Sequence, residues 1–276
     1  MSSLALALMT KGDVGDPLPT VFERLAWYGA HIRRGQLTLI AAGSGVGKSS
    51  LITYMAMTME DERGKIPTLY FSADSDVMTF GMRAGAMAAG IYLTEAEKLI
   101  KRQDPEFLEL LHEATRHIWV CFDPGPTPKD IEDEVQAYAL VHGEYPSLVV
   151  VDNLMDVKTG LSKQEGDDAA LNFLKQLAGR TGAAVVVLCH VVATGTERDV
   201  DGKTQIVDYV SGKVPIPLKG LMNKIDKRPR LILSLYEHSP TTLGVCILKN
   251  NNGKRDPDGN LQVIIPFVKE KMWFRR

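Results

Sequence analysis

The sequence predicts an α/β fold: a mostly parallel, twisted sheet with helices on both faces and an antiparallel edge at its C-terminal end. Three observations predict it. Strand-like runs that are mostly apolar without in-out alternation ("QLTLIAA", "PSLVVVDNL", "AAVVVLCH") alternate with helical segments. Such runs suit strands buried on both faces, and their alternation with helices marks a parallel sheet. The last part of the chain instead carries three strand-like runs in succession, "RLILSLY", "LGVCILK" and "LQVIIPF". Finally, a glycine-rich turn, "AAGSGVGKSS", stands between the first strand and the first helix.

In chain order, residues 1–34 read as an N-terminal arm: "KGDVGDPLPT" is loop-like and "VFERLAWYGAHI" suits one amphipathic helix, with Trp27 and Tyr28 as anchors on a neighbouring subunit or on the chain's own core. Residues 35–276 read as one domain. "QLTLIAA" is a buried strand, "KSSLITYMAMTMEDE" a helix, "IPTLYFSAD" a second strand, and "VMTFGMRAGAMAAG" a second helix. Two more helices, "TEAEKLIKRQ" and "PEFLELLHEATRH", lead to the strand "IWVCF". Thr127 followed by Pro128 starts the helix "PKDIEDEVQAYALVHG", since proline suits a first helical turn. The strand "PSLVVVDNL", the helix "DDAALNFLKQLAGR" and the strand "AAVVVLCH" follow, and residues 191–229 read as polar and irregular. The last two strands flank "LKNNNGKRDPDG", a polar glycine-bearing turn that makes them a hairpin.

With 276 residues, 45% hydrophobic and 24% charged, the chain can bury a large core. No apolar run is long enough for a membrane span, and "LALALM" is too short for a secretory signal. The three cysteines are widely spaced with no metal-ligand pattern, which suits a reducing cytoplasm. The net charge is -2, so any contact with nucleic acid must come from a local basic surface.

The glycine-rich turn carries the chemistry. Gly43, Ser44, Gly45, Val46, Gly47, Lys48, Ser49 and Ser50 are the expected nucleotide-binding residues: successive N–H groups from Ser44 to Ser49 can form an anion nest at a helix N-terminus. Measured against the G-x-x-x-x-G-K-[ST] pattern of a P-loop, Ala42 replaces the leading glycine. A methyl is tolerable where a strand merely ends. Lys48 is expected to reach the β- and γ-phosphates of ATP, and Ser49 to ligate Mg²⁺. Asp152, closing "LVVVD", is the expected second anchor for the metal, at the carboxyl end of a strand where such sheets bind ligands. Asp156 is a weaker metal candidate. Asp74, ending "YFSAD", is the expected general base for water, with Asp76 as runner-up. His190, ending "VVVLCH", is placed to sense the γ-phosphate.

These stretches together resemble the RecA-like ATPase core of DnaB-type replicative helicases. "LTLIAAGSGVGKSS" resembles their Walker A stretch, "LYFSADSD" their catalytic-carboxylate strand, "VVVDNL" their Walker B and "VVVLCH" their sensor strand. The histidine and "GMRAGAMAAG" are closer to plasmid RepA helicases. The resemblance runs from Gly35 to Phe274. It implies a compact, core-only phage or plasmid helicase of DNA replication, forming a hexameric ring with ATP between subunits and single-stranded DNA in the channel. Replication proteins would be partners, and the host cytoplasm the location.

The resemblance also gives the hairpin tip a role. Family members carry K-x-R before asparagine and glycine, and these cations reach the neighbour's γ-phosphate. Here "KNNNG" aligns Lys249 with the lysine but puts Asn251 where the arginine finger belongs. A finger is worth about 10³ to 10⁵ in rate, so Lys249 with help from Arg255 is the expected replacement, Lys254 being a further candidate. Asp74 also stands where the family has glutamate, one methylene longer.

The segments after the Walker B and sensor strands occupy the places of DNA-binding loops. Lys158 and Lys163 lie in the first; Lys213 and Lys219 are favoured in the second because glycines adjoin both. Arg198, Lys203, Lys224, Lys227 and Arg228 are further cations there, and Tyr209 is the stacking aromatic. Backbone-led binding with little sequence discrimination is the expectation. A recombination or strand-annealing ATPase that unwinds nothing, and an ATP-dependent switch for a protein partner, are the competing functions.

Overall fold

The structure is a computed structural model; it describes residues 4–191, 194–198, 204–221 and 225–275. The elements run in the order α1 (Leu4–Thr10), α2 (Glu23–Trp27), β1 (Leu37–Ala42), α3 (Lys48–Thr58), β2 (Glu60–Asp61), β3 (Gly64–Lys65), β4 (Thr68–Ser72), α4 (Val77–Ala89), α5 (Leu93–Lys101), α6 (Pro105–Thr115), β5 (Ile118–Cys121), α7 (Pro128–His142), β6 (Leu148–Asp152), α8 (Lys163–Thr181), β7 (Ala184–His190), β8 (Thr194–Arg198), β9 (Thr204–Asp208), β10 (Leu231–Ser239), β11 (Thr242–Asn250), β12 (Gln262–Val268) and β13 (Trp273–Phe274).

Nine strands form the main sheet in the order β13-β12-β11-β10-β1-β7-β6-β4-β5. From β10 to β5 every pairing is parallel; β11, β12 and β13 close the other side antiparallel. This is the architecture read from the sequence. The apolar runs are continuous because both faces are covered. Ile40, Val150, Val186 and Leu188 point into one hydrophobic cluster with α3 and α4, while Leu39, Val149, Val151 and Val187 point into another with α7 and α8. The expected start of α7 is present as a capping box: Thr127 and Asp130 each accept from the other's backbone N–H, satisfying two donors that a helix end leaves free.

Several local expectations give way to the structure. The helix after the glycine-rich turn stops at Thr58, because the Asp61 carboxylate takes the Arg63 N–H at 2.8 Å and turns the chain into the β2–β3 ladder. The predicted helix over residues 21–32 shrinks to Glu23–Trp27, ended by Gly29 at φ +69°, a conformation glycine adopts freely. Val21, Phe22, Leu25 and Ile32 of this stretch join the core, and Tyr28 packs against it partly buried; Trp27 is 74% exposed. Part of the segment read as irregular is the β8–β9 hairpin.

Candidate active site

The turn after β1 leaves the carboxyl edge of the sheet and enters α3, with Gly45 at φ +71° and Gly47 at φ +119°. Side chains with a Cβ are strained there, so the glycines serve the loop's curvature. Ser44, Gly45, Gly47, Lys48, Ser49 and Ser50 line a cavity of about 320 Å³ together with Asp74, Ser75, Arg83, His190, Phe267, Lys269 and Met272. Gly43 and Val46 face the other way. A Cβ on Gly43 would sit 2.4 Å from the Val210 carbonyl oxygen, and one on Gly212 would sit 2.2 Å from Val46 Cγ2. The segment following β9 is thus pressed directly against the loop.

Lys48 is 5% exposed. Its ammonium donates to the carbonyls of Ala42 and Gly43, each at 3.3 Å, and to His190 Nδ1 at 3.2 Å. Burial lowers its pKa, opposed by the carboxylate charges of Asp152 and Asp74. Because Nδ1 accepts, the ring proton belongs on Nε2, which faces Asp74 at 3.6 Å. At that separation the Nε2–H points toward the carboxylate without a direct hydrogen bond. The structure therefore joins Lys48, His190 and Asp74 in one chain. It also separates the two carboxylate candidates: Asp76 caps α4, accepting the Thr79 N–H at 2.7 Å, whereas the half-exposed Asp74 faces the cavity.

Asp152 is 2% exposed. Burial raises its pKa, and hydrogen bonds from Ser49 and Tyr70 draw it back. The Tyr70 hydroxyl donates to Oδ2 at 2.9 Å, and burial with the neighbouring carboxylate pushes that phenol well above its ordinary value. A serine hydroxyl beside a buried carboxylate is a set of hard oxygen donors, which fits Mg²⁺ completed by phosphate and water oxygens. Asp156 lies one short turn beyond, partly buried, its pKa raised by burial and by Asp74.

The hairpin tip lies at the opposite edge of the sheet. Lys249 pairs with Ile232 near the start of β10, while Ala42 and the glycine-rich turn adjoin Leu235. The Lys249 ammonium donates to the Asp226 carbonyl at 2.6 Å, and burial lowers its pKa. Lys254 lies 5.9 Å from the Tyr28 ring centre; Arg255 and Asn251 are exposed. None of the tip residues lines the chain's own cavity.

Four lysines read as polymer contacts lie on four different elements. Lys158 packs over Gly125, Lys163 opens α8, Lys213 pairs with Glu237 at 2.8 Å, and Lys219 sits in a short turn whose Leu218 N–H donates to Pro257. Gly212 and Gly220, whose smallness suggested close approach to a ligand, instead pack on Val46 and Tyr209. Tyr209 is fully buried and unavailable for stacking. Arg228 is held by Asp168 at 3.0 Å; Lys203 and Lys224 lie outside the described residues. Sequence reasoning missed Tyr70, Ser75, Arg83, Phe267, Lys269 and Met272. Only the lysine-aromatic cluster "FVKEKMWF" offered a signal.

Residues 7–195 match the model of the AAA domain family. The chain is 35% identical to the Gene 65 protein of Mycobacterium phage L5, over 96% of this chain and 95% of that protein. It is 32% identical to the Gene 65 protein of Mycobacterium phage D29, over 86% and 97%. Among solved structures it superposes on an ATPase domain with a TM-score of 0.73 at 18% identity, covering 99% of this chain and 98% of that one. A DnaB-like replicative helicase, solved in a study of its interactions with primase, superposes with a TM-score of 0.70 at 17% identity over 99% and 67%. No helix among the described residues is long and apolar enough to cross a membrane. The chain belongs to the AAA domain family of nucleotide-binding ATPases, and its fold is the RecA-like fold of DnaB-type helicase ATPase domains.

Proposed function

We propose that this protein is an ATP-driven motor on single-stranded DNA, a helicase of the DnaB-like type that works as a hexameric ring in DNA replication. The observation that carries the reading is the contact between the phosphate loop and the segment after the β8–β9 hairpin. Gly43 meets the Val210 carbonyl and Gly212 meets Val46 with no room for a methyl group. A change at the phosphates must therefore be felt by the segment that carries Lys213, and a pull on that segment must be felt at the phosphates. A nucleotide-binding switch alone has no need of a polymer-facing hairpin fixed to its loop.

In this reading Lys48 and the loop N–H groups hold the triphosphate, while Ser49 and Asp152 would hold Mg²⁺. The metal neutralises phosphate charge when bound. Asp74 takes the proton of the attacking water, and His190, tied to both Lys48 and Asp74, links that carboxylate to the strand leading into the hairpin. Lys249 and Arg255 serve the neighbour's γ-phosphate, which agrees with their distance from their own loop. Lys158, Lys163, Lys213 and Lys219 track the DNA backbone.

Hydrolysis rates with and without single-stranded DNA, alongside native mass, test the reading. Stimulated hydrolysis by a six-copy species is expected, with both stimulation and hydrolysis lost in Lys48→Ala. Stimulated hydrolysis that survives that substitution, or the absence of salt-dependent single-strand binding, overturns it. Open helical filaments in electron micrographs, in place of closed rings, would favour the recombination ATPase.

A further inference from the structure

The C-terminal end of the chain forms one wall of the phosphate cavity and is fastened there at several points. The Phe267 ring lies against the loop: a Cβ on Gly47 would be 3.1 Å from its Cε1. The Ser50 hydroxyl donates to Met272 Sδ at 3.1 Å. Phe274 stacks on Phe267 with centres 4.3 Å apart and packs on Tyr54 of α3 at 4.9 Å. The Lys271 ammonium lies 4.5 Å from the centre of the Tyr92 ring. These contacts hold the short turn Lys269–Lys271 beside the glycine-rich loop. From that turn Lys269 enters the cavity, its Nζ 4.0 Å from where a Cβ on Gly45 would lie. Glu237, the carboxylate near enough to feel the Lys269 charge, is engaged by Lys213 at 2.8 Å.

We propose that Lys269 is a catalytic cation that acts on the γ-phosphate of the nucleotide held by its own subunit, supplying charge that Asn251 cannot. This rests on the reading above that the site hydrolyses ATP. The loop N–H groups surround the β-phosphate and Lys48 approaches from the buried side. A cation on the open side at Gly45 meets the γ-oxygens that the nest leaves uncovered. In the step, the water oxygen bonds to the γ-phosphorus and its proton passes to Asp74. The bond from the γ-phosphorus to the bridging oxygen breaks, and its electron pair leaves with ADP. Lys269 keeps its proton throughout and balances the charge spreading over the γ-oxygens and the bridging oxygen. Because its turn is already fastened, the backbone that carries this exposed lysine is set before the reaction begins, and charges carried on a pre-set frame lower barriers most.

The test compares wild type, Lys269→Ala, Lys269→Arg and Lys48→Ala as full chains, with turnover, ADP affinity and melting temperature measured for each. Lys269→Ala is expected to lower kcat about 10²-fold. ADP affinity should change by no more than about threefold, since ADP lacks the group the cation addresses. Melting temperature should not change, and Lys269→Arg should recover most of the rate. Mixing Lys269→Ala with Lys48→Ala subunits should restore nothing, because a cation acting within its own subunit cannot be lent. Wild-type hydrolysis lost in Lys48→Ala but retained in Lys269→Ala overturns this inference alone. So does recovery on mixing, or an equal weakening of ADP and ATP with kcat intact. A wild type that hydrolyses no ATP overturns both this inference and the reading beneath it.

Discussion

The Lys48 ammonium lies 3.2 Å from His190 Nδ1, and the far nitrogen of the same ring faces Asp74 at 3.6 Å. A residue of the phosphate loop, one at the end of the neighbouring strand β7 and one just past β4 are thus linked through one imidazole. Removing the ring leaves the buried ammonium with two backbone carbonyls. His190→Ala is therefore expected to slow turnover about tenfold, roughly one hydrogen bond's worth. His190→Asn, which retains an acceptor, should slow it less. Steady-state kinetics of the two variants checks this; equal losses would deny the acceptor role.

Asp74 and Asp76 are two residues apart but sit differently: Asp76 caps α4 and Asp74 lines the cavity. Asp76→Ala removes the cap of α4 and should cost about 1 kcal/mol of stability with turnover little changed. Asp74→Asn should leave the melting temperature in place and reduce turnover by about 10² or more, the range for a lost general base. Paired melting and rate measurements separate them. The reverse pattern would make Asp76 the base.

Asp152 has a stability sign that can be worked out. Burial raises its pKa above the ordinary 3.8, so the folded chain takes up this proton at a higher pH than the unfolded chain does. Ionisation therefore costs stability, and that cost disappears as pH falls through the window above 3.8. Asp152→Asn removes the cost but also removes a charge that supports the buried Lys48. Turnover should be lost at every pH. The stability difference should move in favour of the wild type as the pH is lowered through that window, which calorimetry across pH reads directly.

Tyr70→Phe leaves Asp152 with one hydroxyl donor in place of two. Partners that orient a metal-binding carboxylate commonly matter about 10- to 100-fold in metal affinity, so half-maximal turnover should need about tenfold more Mg²⁺. A Mg²⁺ titration of ATP hydrolysis measures it, and an unchanged midpoint would count against Asp152 as a metal anchor.

Gly212→Ala places a methyl 2.2 Å from Val46 Cγ2 at a residue with φ +66°. The segment after β9 must then move off the phosphate loop. Basal hydrolysis should persist while stimulation by single-stranded DNA falls toward nothing, and the two rates from one preparation decide it. Stimulation of wild-type size would deny that the contact transmits anything.

Much of this protein is written locally in the chain. The runs "LTLIAA", "LVVVD" and "AVVVLCH" are apolar on both faces up to their ends because both faces are covered, Thr38 excepted, and their alternation with helices identifies a parallel sheet. The glycines of "GSGVGKSS" act through their own backbone, so the loop is legible from spacing. Asp152 and His190 follow because each closes a strand whose end is visible. Lys269 and Phe267 could not be found this way: they sit more than two hundred residues from Gly45 and Gly47, and reach them only because β12 runs parallel to β1, two strands beyond β10. The same holds for Gly212, whose missing side chain suggested an external ligand until folding set it against Val46, and for Tyr209, whose aromatic ring proved to be core. Backbone chemistry and periodicity are properties of neighbours in sequence. Which side chain supplies charge to a site, and which glycine is small for whose sake, depends on distances that only the packed sheet sets.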